Sequence, residues 1–207
     1  MTLIKTCGLF RREDIEAVND ARPDFAGFVV NFPTSHRNVS PEQVCKLRAD
    51  LRGDIEAVGV FVNEDPQVIA SLVERRGIDI AQLHGSEDEA YIESLRALCD
   101  VPIIKAFKIR SGQDVERAVA SSADLILLDN GYGTGQAFDW NLIGTIDRPF
   151  ILAGGLSPDN LAEAIDAIHP WAVDLSSGLE TNKVKDADKI AKAVAAARQR
   201  SKTVERI

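Results

Sequence analysis

Short apolar runs rich in β-branched and aromatic residues recur along the chain, and between most of them lies a longer segment in which apolar residues return every three or four positions. The first pattern is that of a buried strand, the second that of a helix covering it. Strands are expected at Leu3–Gly8, Phe25–Asn31, Ala57–Val62, Ile80–His84, Pro102–Lys108, Leu125–Asp129, Pro149–Ala153 and Ala172–Ser176. Helix starts follow several of them. Ser40-Pro41-Glu42-Gln43 supplies an N-cap, a proline at the first helical position and a returning Gln, and Ser157-Pro158-Asp159-Asn160 repeats that design. Glu64-Asp65-Pro66 and Ser111-Gly112-Gln113-Asp114 open two more. A stripe of Ile190, Ala191, Val194 and Ala195 predicts a last helix from about Asp186 to Arg198. In the sixth unit Gly131-Tyr132-Gly133-Thr134-Gly135 precedes only a short Asp139–Ile143 stretch, so a Gly-rich loop and a short sixth helix are expected.

Eight strand-then-helix units predict an α/β fold with a closed parallel sheet, a single (β/α)8 TIM barrel. The length of 207 residues suits one catalytic domain over 1–200 with a frayed tail at 201–207. An open doubly wound sheet is the alternative, but no G-x-G-x-x-G follows the first strand.

Composition narrows the function. Lys and Arg number 24 against 32 Asp and Glu, a net charge of -8, which argues against general binding to nucleic acid or anionic membrane. A small anionic ligand needs only local donors and stays open. Cys7, Cys45 and Cys99 are odd in number and widely spaced, so neither a disulfide framework nor structural zinc is expected; Cys45 and Cys99 fall in helix patterns and are expected in the core. No leader-like start and no long apolar stretch is present, which makes a reduced cytoplasmic location the default. Neither a metal-ligand spacing nor a nucleotide fingerprint occurs, and no cofactor is expected.

In a (β/α)8 barrel the chemistry sits at the C-terminal ends of the strands. That filter selects Cys7, Asn31, Asn63, His84, Lys108, Asp129, Gly154-Gly155 and Ser176-Ser177-Gly178. The two glycine-bearing loops follow the seventh and eighth strands, where barrels hold phosphate on backbone N–H groups, and so they are candidate phosphate binders as well as plain turns. Lys5 and Cys7 share a strand face, so Lys5 is the candidate charge for lowering the Cys7 pKa if that face is interior. A buried, inert thiol is the plainer alternative. Asp129 is a turn former or a general acid whose pKa burial would raise. Arg37 is a solvated loop charge or a fork for a carboxylate; His84 and His36 are structural or titrating. Asp174, mid-strand in the eighth run, is explained most simply by a buried pair with Lys5 on the neighbouring first strand. These residues reach an acid/base enzyme acting on a small phosphorylated compound, and no further.

Taken together, Lys5-Thr6-Cys7-Gly8-Leu9, Ser35-His36-Arg37-Asn38, Gln82-Leu83-His84-Gly85, Leu128-Asp129, Gly133-Thr134-Gly135 with Phe138-Asp139-Trp140, Ala153-Gly154-Gly155-Leu156 and Val173-Asp174-Leu175-Ser176-Ser177-Gly178-Leu179-Glu180 resemble, in order, the phosphoribosylanthranilate isomerase family. The resemblance implies an Amadori rearrangement of N-(5-phosphoribosyl)anthranilate to 1-(2-carboxyphenylamino)-1-deoxyribulose 5-phosphate in tryptophan biosynthesis, without metal or organic cofactor. A monomer or homodimer is expected, since the sequence does not distinguish the two. It implies that Cys7 is the general base at C2′, Asp129 the general acid at the ring oxygen and Arg37 the anthranilate-carboxylate contact. His84, Gly154, Gly155, Ser176, Ser177 and Gly178 would complete the substrate site. The chain departs from the family pattern at Thr6, in a short loop after Asp129 and at Asn182-Lys183-Val184. A different phosphate-binding barrel enzyme, such as an indole-glycerol-phosphate synthase or sugar-phosphate epimerase, would show a catalytic Lys–Glu pair or metal-ligating His and Asp at its strand ends. A non-catalytic phosphate-binding barrel is the remaining alternative.

Overall fold

Alternation of buried, mostly apolar residues with helical segments yields eight parallel strands: Leu3–Cys7 (β1), Phe25–Val30 (β2), Glu56–Phe61 (β3), Ile80–Leu83 (β4), Ile103–Lys108 (β5), Leu125–Asp129 (β6), Phe150–Leu152 (β7) and Ala172–Leu175 (β8). The computed structural model describes residues 2–129, 143 and 146–201. Each strand bound agrees with the sequence expectation to within one residue. Every strand pairs with the next, and β1 pairs with both β2 and β8, which closes the barrel. The helices are Arg12–Ala21 (α1), Pro41–Asp50 (α2), Pro66–Glu74 (α3), Glu89–Leu98 (α4), Gly112–Ala120 (α5), Leu161–Ile168 (α6) and Ala187–Ser201 (α7). The Gly131–Gly135 loop and the short sixth helix fall outside the described residues, as does the tail from residue 202 onward.

Caps explain most helix starts. Ser40 Oγ accepts from Gln43 N at 3.2 Å while Gln43 Oε1 accepts from Ser40 N at 2.8 Å, the reciprocal arrangement read from the sequence. Asp65 caps α3 through Gln67 N, and Asp186 caps α7 through Asp188 N and Lys189 N. The Ser157 expectation holds in part. Asn160 Oδ1 accepts from Ser157 N at 2.8 Å, the same returning bond that Gln43 makes to Ser40, but Ser157 Oγ accepts from Asp159 N at 3.3 Å, residues 158–160 form a turn and α6 starts only at Leu161. Cys45 and Cys99 are half-buried rather than in the core.

The period of two divides the strands between two apolar layers. Phe28, Phe61, Leu83 and Leu128 face the helices, and Phe25, Val58, Ile80, Ile104, Leu127 and Ile151 fill the barrel interior. At the N-terminal end a repeated device seals the strands. Asp24, Asp79 and Asp124, each immediately before an even-numbered strand, accept from Ile4 N, Ala57 N and Ile103 N at 2.7–2.8 Å, and pair with Arg198, Arg48 and Arg96. This is the stability face of the fold.

Beyond β8, Glu180–Thr181 pairs antiparallel with Val184–Lys185. Its two-residue turn holds Asn182 at φ 53 and Lys183 at φ 64, the left-handed pair that favours Asn-Gly. A Cβ at the second position costs about 1 kcal/mol, so Lys183→Gly should stabilise the fold by roughly 0.5–1 kcal/mol, about 1–4 °C in Tm. An unchanged or lowered melting temperature would contradict this account of the turn.

Candidate active site

The C-terminal rim opens onto a cleft of about 310 Å³ lined by Cys7, Arg37, His84, Asp129, Gly154, Gly155, Ser176 and Ser177, with Gln82 and Asp174 on its floor. Seven of the residues that the strand-end filter selects (Cys7, His84, Asp129, Gly154, Gly155, Ser176 and Ser177) therefore meet in one cleft, joined by Arg37 from the loop after β2. Asn31 and Asn63 instead turn the chain out of β2 and β3 at φ 51 and 52, a conformation Asn tolerates, and Lys108 lines a neighbouring cleft with Lys105 and Arg110. His36 stands outside, its ring edge on Phe10.

Beneath the rim lies a polar layer. The β1–β8 register sets Lys5 opposite Asp174, and Lys5 Nζ donates to Asp174 Oδ2 at 2.9 Å with both side chains buried. The expected pair is present. Burial pulls the Lys5 pKa down, but Asp174 and Cys7 together outweigh it and leave the pKa raised. Gly27 on β2 faces this pair for a steric reason, since a Cβ there would stand 2.9 Å from Cys7 Sγ and 3.0 Å from Lys5 Nζ. Asp174 Oδ1 and Gln82 Oε1 are buried and have no hydrogen-bond partner among the described residues, an unusual cost that marks the cleft floor as functional.

Cys7 is 7% exposed, and its expected pKa direction is overturned. Burial and the Asp174 carboxylate push the thiol up, outweighing the opposing pull of Lys5 and Lys185. Lys5 cannot dominate because Asp174 already neutralises it. At neutral pH the free protein therefore holds Cys7 as a thiol.

Asp129 closes β6 with its side chain 20% exposed, and His84 Nε2 lies 3.4 Å from its Oδ2. Gln82 Nε2 stands 3.0 Å from His84 Nδ1. With that amide donating, the ring proton of neutral His84 sits on Nε2 and faces the Asp129 carboxylate. Gln82 was not selected from the sequence. Its position two residues before His84 on the same strand face was the available signal.

Arg37 crosses Gly8, whose missing Cβ gives the guanidinium stem room; at φ 79 a side chain there would be strained as well. Its Nε and Nη2 donate to Glu180 Oε1 and Oε2 at 2.5 and 2.8 Å. Lys185 Nζ, fully buried, donates to Glu180 Oε1 at 2.8 Å and Ser176 O at 3.0 Å. Ser176 Oγ in turn donates to Cys7 O at 3.1 Å.

The two glycine loops differ in role. Gly154 and Gly155 adopt φ 90 and 68 on the cleft wall. Gly178 does not line the cleft, and a Cβ on it would overlap the Leu156 carbonyl oxygen. Its glycine lets the loops after β7 and β8 touch. Among the described residues no cluster of three His, Cys, Asp or Glu forms a metal site, and no helix is long and apolar enough to cross a membrane.

Comparison with known proteins matches this arrangement to one family. The model of the N-(5'-phosphoribosyl)anthranilate (PRA) isomerase family matches residues 4–196. A relative from Endomicrobium trichonymphae, N-(5'-phosphoribosyl)anthranilate isomerase, is 44% identical over 199 residues, covering 94% of this chain and 97% of its own. The structure of a phosphoribosyl anthranilate isomerase in complex with reduced 1-(o-carboxyphenylamino)-1-deoxyribulose 5-phosphate superposes with a TM-score of 0.84 at 34% identity, covering 96% of this chain and all (100%) of the other. Mutually generated monomers of the dimeric enzyme from Thermotoga maritima match equally, with TM-score 0.84, 34% identity and the same 96% and 100% coverage.

Proposed function

We infer the division of labour in the cleft from one premise: this chain belongs to the N-(5'-phosphoribosyl)anthranilate isomerase family. The protein is an isomerase that converts N-(5-phosphoribosyl)anthranilate to 1-(2-carboxyphenylamino)-1-deoxyribulose 5-phosphate within tryptophan biosynthesis. The observation that carries the residue assignment is the convergence of the Cys7 thiol, the Asp129 carboxyl and the Arg37 fork on a single cleft walled by positive-φ glycines.

In our reading Asp129 donates its proton to the ribose ring oxygen, the C1′–O bond breaks, and the anthranilate nitrogen becomes a protonated Schiff base. Cys7, as thiolate, then takes the C2′ proton; the electron pair moves toward nitrogen, giving an enolamine that tautomerises to the ketose product. Arg37 holds the ring carboxylate. Gly154, Gly155, Ser176 and Ser177 cradle the phosphate, with Gly178 keeping the two loops in register. The protein works in the cytoplasm as one domain, as a monomer or a homodimer. The direct test is an assay with freshly generated substrate, following loss of its fluorescence with and without the protein; no acceleration would overturn the reading.

The phosphate assignment carries its own prediction. Inorganic phosphate or sulfate should compete with substrate. Gly155→Val places a branched side chain at φ 68 against the anion and should raise KM about tenfold or more. A folded Val variant with unaltered KM removes the cradle from this loop.

A further inference from the structure

An Arg that recognises a carboxylate from a loop must be held before the ligand arrives, because a long, freely rotating side chain loses much of its binding free energy on ordering. Arg37 lies in such a loop, between β2 and the short strand Asn38–Val39. The loop itself is tied by Asn38 Oδ1 accepting from Phe32 N at 2.5 Å and Ser35 Oγ accepting from Arg37 N at 3.2 Å. Those bonds fix backbone and leave the guanidinium to other partners.

Glu180 is the side chain that meets it, 143 residues away in sequence. The pairing is fork on fork through Nε and Nη2. A guanidinium has five N–H donors, so this geometry leaves the end-on pair on Nη1 and Nη2 for a second carboxylate. No partner of Nη1 occurs among the described residues. The Glu180 side chain is only 7% exposed and also meets Lys185 Nζ at 2.8 Å and His36 Nε2 at 3.4 Å. Arg37 and Lys185 against Glu180 give the cluster, with His36 neutral, one net positive charge, the complement of one incoming carboxylate. Gly8 keeps the path for the Arg37 stem open.

We propose that Glu180 is a positioning residue that confers the specificity of this site for a carboxylate-bearing aromatic amine, by locking Arg37 with its end-on fork presented to the cleft. The inference deepens the reading of Arg37 given above and rests on it. Although burial opposes ionisation, hydrogen bonds from Arg37 and Lys185 hold the Glu180 carboxyl down to about 2, so the lock is present at any working pH. Its folded pKa lies below the ordinary 4.5; the stability it supplies is therefore complete above that value and is lost as pH falls toward 2.

The test uses two ligands: reduced 1-(o-carboxyphenylamino)-1-deoxyribulose 5-phosphate and the same compound without the ring carboxyl. Native protein should bind the first more tightly. Glu180→Gln should weaken the first about tenfold to a hundredfold and the second by less than about twofold, with KM for substrate rising more than kcat falls. Arg37→Met should abolish the preference altogether. Equal weakening of both ligands by Glu180→Gln, or no weakening of either, overturns the proposal while leaving Arg37 intact. A native protein that binds both ligands alike overturns the Arg37 reading and this proposal together. Should the Gln variant fail to fold, Glu180→Asp keeps the charge beside Lys185 but draws the carboxylate back from the guanidinium. Full retention of the preference in that variant would overturn the lock.

Discussion

Asp129→Asn should lower kcat by about 10²–10⁴ while leaving KM within a small factor of its native value. The amide keeps the volume of the carboxyl and can still accept from His84 Nε2, which lies 3.4 Å from Oδ2 in the native cleft, so the β6 end and the substrate pocket should survive. What it lacks is a proton that can be transferred to the ribose ring oxygen. The loss should therefore fall on the chemical step and not on binding. Steady-state and single-turnover kinetics on a variant with native melting behaviour would check it. Near-native turnover would take Asp129 out of the mechanism and leave ring opening to another donor.

Much of this framework is legible in the chain because parallel barrels tie function to one local variable, the residue at each strand end. Once the strand at Leu3–Cys7 was placed, the period of two put Lys5 and Cys7 on one face, and the closed barrel put Asp174 beside Lys5. Where a local motif forms only in part, its boundary shifts. Asn160 Oδ1 returns to the Ser157 N–H as the helix-start design expects, yet Ser157 Oγ meets Asp159 N, residues 158–160 form a turn and the helix begins only at Leu161. The aspartates that seal β1, β3 and β5 are visible as an Asp before each even-numbered strand, but their acceptor role belongs to the neighbouring strand and appears only with the register.

Three site features needed distances. Gly27 is bare because Cys7 Sγ and Lys5 Nζ both crowd its missing side chain, a demand made by another strand. Glu180 reaches Arg37 from beyond the last strand, and no spacing rule joins them. The direction of the Cys7 pKa depends on a sum over burial, Asp174, Lys5 and Lys185, whereas the sequence displayed only the nearest cation.

That sum governs the last expected result. Cys7→Ser should lower activity by at least about 10³, toward the upper end of what one general base supplies, because a serine hydroxyl at this site is far harder to ionise than a thiol. Volume and the Ser176 bond to the backbone oxygen at position 7 are retained, so folding should be near native. In the native protein the thiol is pushed above its ordinary value of 9.0, so kcat/KM should climb through the neutral range and continue to rise past that point. Asp174→Asn removes the charge that opposes the thiolate and leaves Lys5 unopposed, so the rising limb should move to lower pH. Lys5→Met removes the cation and should move it higher. Both variants break a buried pair and should melt earlier, but opposite shifts of the limb cannot come from a shared loss of stability. Alkylation of Cys7 should inactivate the protein with the same pH dependence, and bound ligand should protect it. A Cys7→Ser variant that keeps most of its activity would pass the role of base to His84, which lines the same cleft.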